Sequence, residues 1–288
     1  MMTAVLSEPF SPAASATTRR SRRLPRLGVA GWCAAVFLIA MVVMAVFAPL
    51  IAPYDPDAAD LLAAYAPPSA EHWLGTDGTG RDIASRLIYG ARPSLLGPAA
   101  IVVMTVLVGI PLALLAAWRR SGTEFAITRA FDILFAIPGL LLAILAVAMF
   151  GPGLGAAAVA LAIAYLPYFG RLAHTAAVTE RNRPYVTVLQ VQGHGPMRIN
   201  VRHVLRNLSP MLTGQASVTF AYALIDLAAL SFLGLGVQAP QADWGVLVSD
   251  RDALLRGHPL GVVAAAVAIV LTVMSLFTLG SKLSGEES

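Results

Sequence analysis

Six long apolar stretches decide what this chain can fold into. A hydrocarbon core about 30 Å thick is crossed by roughly 20 apolar residues wound as a helix. Gly28 to Ile51 and Leu95 to Trp118 carry no charge, and Phe125 to Phe150 is apolar apart from Arg129 and Asp132 near its start. Gly153 to Gly170 is short but clean, Met211 to Gly236 holds one acid, Asp226, and Gly261 to Gly280 is clean again. Within lipid every backbone N–H and C=O must be satisfied inside its own segment, so these stretches read as helices despite their Val and Ile. With 57% hydrophobic and 12% charged residues, a disordered chain, a coiled coil and an ordinary cytosolic enzyme are excluded. The first stretch follows an arginine-rich head, as a signal peptide would. It is longer than the apolar run of such a peptide and ends in Pro49 and Pro53 with no small-residue cleavage pattern, so it reads as a retained span.

The loops orient the spans. Arg19, Arg20, Arg22, Arg23 and Arg26 precede the first span, Arg119 and Arg120 follow the second, and Lys282 follows the last. Between the fourth and fifth lie Arg171, Arg181, Arg183, Arg198, Arg202 and Arg206 with one acid, Glu180. Of the remaining loops, Gly151-Pro152-Gly153 is tight and uncharged, and the other two are acid-rich, with Asp55, Asp57, Asp60, Glu71, Asp77 and Asp82 in one and Asp243, Asp250 and Asp252 in the other. Arginine and lysine stay on the cytoplasmic side, so every loop fits an all-α, six-span protein with both termini inside. The net charge of +4 then reports topology rather than a nucleic-acid surface. A flexible basic tail is expected over 1–27, a transmembrane domain over 28–280 with a cytoplasmic loop at 171–210, and a short tail over 281–288. A membrane with one cytoplasmic face is the expected location.

Several chemistries are missing. Lys282 is the only lysine and lacks the glycine frame of a phosphate-binding loop, so ATP is not expected to bind this chain. The string Gly75 to Asp82 is glycine-rich but falls in an outer loop with no strand before it. The five histidines show no metal-ligand spacing, and no nucleophile elbow occurs. Cys33, alone, forms no internal disulfide and reads as a small packing residue. No catalytic, cofactor or metal residue is therefore expected. Without an internal repeat, an autonomous secondary transporter or channel is weakened but remains a rival, as does a membrane enzyme.

The long cytoplasmic loop carries a signal of its own. Pro184 suits the first turn of a helix, and Gly193 and Gly195-Pro196 suit its end. Tyr185, Val188, Leu189 and Gln192 fall at i, i+3, i+4 and i+7, on one face. That face is mostly apolar, and in a basic loop it needs somewhere to bury: the membrane interface, or a second cytoplasmic protein.

These residues resemble a known family. Gly193 with Arg202, His203, Leu205 and Asn207 looks like the EAA loop of ABC importer permeases, in the branch serving dipeptide, oligopeptide and nickel importers. His72-Trp73-Leu74-Gly75-Thr76-Asp77 through Ser94-Leu95 resembles that branch's block before its second span. Leu230 to Gln238 with Trp244-Gly245 resembles the block after its fifth, and Asp132 with Pro138 to Leu141 fits its third. The resemblance implies the type I importer permease fold and half of a translocation path. Its implied partners are a second permease chain, two ATP-binding subunits that hold ATP and magnesium, and an external substrate-binding (lipo)protein. Peptides are the implied substrate, with nickel chelates or glutathione as the alternative. It assigns ATPase coupling to Tyr185, Val186, Val188, Leu189, Gln192, Gly193, Arg202 and His203. Three places depart from the pattern: Pro184 replaces an acid, Val188-Leu189-Gln190 replaces Ala-Ala-Arg, and Arg206 replaces a proline.

Elsewhere the readings stay paired. Asp226 either faces the translocation path, together with Ser231 and Pro138, or pairs with a neighbouring helix. Arg129 and Asp132 are three apart and suit each other. Trp73 and Trp244 anchor the interface or touch the external binding protein. Glycine and proline in the stretches Ile137 to Gly139 and Ser231 to Gly236 mark expected helix breaks.

Overall fold

The computed structural model describes residues 28–119 and 122–284. The expected tail 1–27 and residues 285–288 of the expected C-terminal tail lie outside them. Among the described residues the regular structure is helical, joined by turns and one isolated bridge between Thr76 and Asp82. In chain order the helices are α1 Gly28–Val46, α2 Ala48–Ile51, α3 Ile83–Trp118, α4 Gly122–Phe135, α5 Gly139–Phe150, α6 Leu154–Arg181, α7 Pro184–Val191, α8 Pro196–Ile199, α9 Leu205–Phe232, α10 Trp244–Val248, α11 Arg251–Leu255 and α12 Leu260–Ser284.

Five helical stretches are each long and apolar enough to cross a bilayer: α1, α3, α6, α8 through α9, and α12. The sixth crossing needs α4 and α5 together, and these meet at an 80° bend. The bend has a local cause. The backbone N–H groups of Ala136 and Ile137 close the last turn of α4. Pro138, which has no N–H to continue the ladder, then starts α5 from extended geometry. The helix break expected at Ile137 to Gly139 is thus a sharp elbow.

Helices α3 and α6 overrun their expected limits. α3 begins at Ile83 rather than near Leu95, because the Asp82 carboxylate caps its first turn by accepting from Ser85 N–H at 2.7 Å. α6 runs past Gly170 to Arg181. The expected loop 171–210 is therefore mostly helix, since no glycine or proline falls between Gly170 and Asn182, and Ala173 and Ala177 give the extension a buried face. At 1.5 Å per residue α6 is about 42 Å long, so it projects beyond a core of about 30 Å.

The packing reflects the bilayer. α1 turns Gly31, Ala34 and Ala45 inward against α12 and α3 and leaves Trp32, Val36 and Ile39 exposed. With no hydrophobic drive between helices in lipid, close backbone approach at small residues supplies the contact. α9 and α12 cross at such a point: a Cβ on Gly214 would lie 2.7 Å from the Gly280 carbonyl oxygen, and one on Gly280 would lie 2.9 Å from that of Gly214. Three apolar clusters stack along the molecule. One joins α5, α6 and α9, one lies where α6 and α9 meet α7, and one packs α10 among α1, α3 and α12.

Outside the spans, residues 52–82 form an ordered lobe. Arg86 is 2% exposed and donates from one terminal nitrogen to the Pro56 and Pro240 carbonyls at 3.0 and 3.1 Å, tying both outer loops to α3. The glycine-rich string is a tight turn around Asp77. This carboxylate accepts from Thr79 N–H, the Thr79 hydroxyl, Arg81 N–H and Arg81 Nε at 2.8–3.0 Å. Gly80 has φ +77°, and a Cβ there would fall 1.7 Å from the Asp60 carbonyl oxygen, so glycine is required.

Candidate functional site: the cytoplasmic coupling region

The segment between α6 and α9 builds one unit. Arg183 is extended and Pro184 opens α7, its fixed φ already suited to a first turn. Gly193, at φ +81°, closes the helix: Gly193 N–H donates to Gln190 O and His194 N–H to Leu189 O, both at 3.0 Å. These are the two bonds of a Schellman cap.

The outward face of α7 differs from the expected one. Val186 is 1% exposed and packs into the cluster containing Ala173, Ala177, Ile199, Val204 and Leu208, with Tyr185 and Leu189 partly buried against it. The outward residues are Val188 and Val191, 54% and 84% exposed, with Gln192 beside them. Met197 and Val201, just beyond, are exposed as well. Four apolar positions on eight residues gave the helical stripe two possible centres, and the buried cluster under α6 took the one holding Val186. Val191, absent from the expected face, is its most exposed apolar member. Arg202 and His203 lie in a π-helical turn, Asn200–Val204, that joins α8 to α9.

A buried acid organises this unit, and the sequence reading passed over it. Glu180, 4% exposed, accepts from the Tyr185 hydroxyl and from Asn207 Nδ2 on one carboxylate oxygen, each at 2.8 Å, and from Arg183 Nε on the other at 2.8 Å. Burial and the Glu180 bond push the Tyr185 hydroxyl up to about 12. The available signal was one acid among six arginines.

The remaining candidates separate. The Tyr165 hydroxyl on α6 donates to Asp226 on α9 at 2.6 Å. A Cβ on Gly139, next to Pro138, would sit 3.1 Å from that of Ala164, so the elbow lies against the stretch of α6 that holds Tyr165. Asp226 and Pro138 are thus brought near one level. Ser231 is not brought to it: buried, its hydroxyl accepts from Val237 N–H at 3.1 Å and fastens the turn after α9. Asp132 pairs with Arg129 at 3.6 Å and more closely with Arg171 of α6. Trp73 is exposed, but Trp244 is 0% exposed, with its Nε1–H donating to the Leu87 carbonyl at 3.0 Å. The expected contact of Trp244 with an external protein gives way to a core role, because α10 folds inward between α3, α9 and α12. Asp243, which caps α10, is buried, and burial holds its carboxyl above the usual range despite bonds from Ser94, Gly245 and Val246.

Five helices long and apolar enough to cross a bilayer, with a sixth crossing available to the bent pair α4 and α5, define a multi-span membrane protein. The chain belongs to the binding-protein-dependent transport system inner membrane component family, which it matches over residues 109–283. Residues 30–68 match the N-terminal transmembrane domain of oligopeptide transport permease C. The chain is accordingly a multi-pass protein of the inner membrane. It is 42% identical over 255 residues to the di/tripeptide transport system permease protein DppC of Pseudomonas aeruginosa (strain UCBPP-PA14), covering 86% of this chain and 84% of that one. It is 41% identical to the dipeptide transport system permease protein DppC of Escherichia coli (strain K12), covering 86% and 85%. A chain of the inward-facing MetNI methionine ABC transporter (SeMet soak crystal form) superimposes with a TM-score of 0.58 at 18% identity, covering 70% of this chain and 95% of that one. At that identity the likeness is one of fold.

Proposed function

We propose that this chain is one of two permease chains in an ATP-driven peptide importer. Two partner subunits bind ATP and magnesium and hydrolyse the nucleotide. An external substrate-binding (lipo)protein delivers the peptide to the outer lobe. This chain contributes half of the path and docks one ATPase through α7. The observation that carries the reading is the exposed apolar edge of α7, Val188 and Val191, on a helix whose other face is packed into the chain itself. Such an edge on the arginine-rich side is covered when a second cytoplasmic protein seats on it. On this reading the elbow at Pro138 and the Tyr165–Asp226 pair line the path, supported by the hydrogen bond between α6 and α9 and by the packing of Gly139 against Ala164.

The peptide assignment rests on the dipeptide permeases it resembles. The decisive experiment expresses the chain with its partner subunits and compares wild type with Val191→Asp. The charged variant is expected to insert normally, to lose co-purification of the ATPase by tenfold or more, and to lose peptide uptake with it. Normal co-purification would sink the docking face. Labelled dipeptides, nickel and glutathione, offered in turn to cells carrying only this importer, decide the substrate, and uptake of dipeptide alone is expected.

A further inference from the structure

The buried carboxylate of Glu180 sits where helix physics disfavours it. It occupies the last turn of α6, and a negative charge at a helix C-terminus opposes the macrodipole. A buried carboxylate is also costly unless fully paired. Both costs are offset by the donors that converge on it, Tyr185 and Arg183 at the start of α7 and Asn207 near the start of α9. Asn207 Nδ2 also reaches the Tyr185 hydroxyl at 3.2 Å, which closes the triangle. The acid therefore ties three helices at one polar point, beside the apolar cluster that Val186 shares with Ala177 and Leu208; along the chain α7 and α9 are joined through the turn at Gly193, the short α8 and the π-helical turn.

We infer that Glu180 is a positioning residue for energy coupling. It makes the end of α6, the coupling helix α7 and the start of α9 move as one body. α9 runs from this joint to Asp226, about 28 Å away at 1.5 Å per residue. A displacement of α7 by the ATPase is then delivered to the level of the elbow instead of being absorbed in the turns at 192–204. Without the joint, α7 still presents Val188 and Val191, so docking and hydrolysis continue while transport lags. The inference rests on α7 being the ATPase contact.

The test uses the assembled importer in membranes and reads peptide imported per ATP hydrolysed. Glu180→Ala is expected to keep ATPase co-purification and hydrolysis within about twofold of wild type, while the import-to-hydrolysis ratio falls roughly tenfold. Asn207→Asp, which sets two carboxylates against each other, is expected to do the same. Combining Glu180→Gln with Asn207→Asp restores a donor–acceptor pair across the joint, and recovers the ratio to at least half of wild type. An unchanged ratio in both single variants overturns the inference, as does failure of the double variant to improve on Asn207→Asp. Loss of ATPase co-purification in the Glu180 variant also overturns it, since the residue would then support docking only. The docking reading stands or falls separately, on Val191→Asp. If Glu180→Ala does not accumulate in membranes, the Asn207→Asp and swapped variants decide alone.

Discussion

Single residues show where a linear pattern and a packed environment part company. Trp244 lies in an acidic outer segment, the place of an exposed recognition residue, and is instead enclosed by Ala45, Ala91, Leu247 and Ala265. Trp244→Ala is expected to cost about 3–5 kcal/mol of stability, measured as a lower thermal unfolding midpoint in detergent. Gly193 is the opposite case, because its role was legible. A Cβ there meets nothing within 4 Å, so the constraint is φ alone. Gly193→Val is expected to cost about 1–2 kcal/mol in left-handed strain, read as faster proteolysis of the 192–196 turn. For Asp77 burial pushes the carboxyl up, but the Thr79 and Arg81 bonds and the Arg81 charge outweigh it and hold it below the usual range. A depressed folded-state value means stability that is present above the ordinary carboxylate pKa and lost as pH falls through the folded one. Asp77→Asn should therefore weaken the outer lobe at pH 7 by about 1.5–3 kcal/mol, the worth of a hydrogen bond to a charged group. It should also flatten the loss expected of wild type below about pH 4, followed by hydrogen exchange of residues 60–82.

Among the elements, spans were easier to read than their ends. An apolar run long enough for lipid has one regular solution, so α1, α3, α6, α9 and α12 follow from composition. Their extensions into water did not, because the overrun of α6 is decided by two alanines that bury only within the cluster built with α3, α7 and α9. The face of α7 failed for a related reason: eight residues present too few turns to fix which apolar stripe is inward, and the neighbouring cluster chose Val186. The elbow between α4 and α5 was foreseen from Pro138, but not its 80° angle, which depends on where α6 allows α5 to lie. If that elbow lines the path, Pro138→Leu, which supplies an N–H and lets the two half-helices straighten, should lower peptide uptake severalfold. ATPase co-purification should remain normal, which separates this defect from those in α7.

For the whole molecule, the order of the apolar helices along the chain is the level at which it was most predictable. Arginine placement assigns Trp73 to the outside and Gln192 to the inside. With Cys33 replaced by serine, Trp73→Cys should react with a membrane-impermeant thiol reagent in intact cells. Gln192→Cys should react only after the membrane is opened. Both reacting together would overturn the six-span arrangement. The sequence by itself determined the helical class and the order of the apolar stretches, and its arginines assign the coupling segment to the cytoplasmic side. Those follow from the cost of unsatisfied backbone in hydrocarbon and from retention of basic residues in the cytoplasm, and neither depends on neighbours. Only the tertiary structure decided which face of α7 is free, that Trp244 is core, that Ser231 fastens a turn and that Glu180 joins three helices. Each of those rests on contacts between residues far apart in the chain, and a one-dimensional pattern does not encode the partner that makes a buried charge or a buried indole worth keeping.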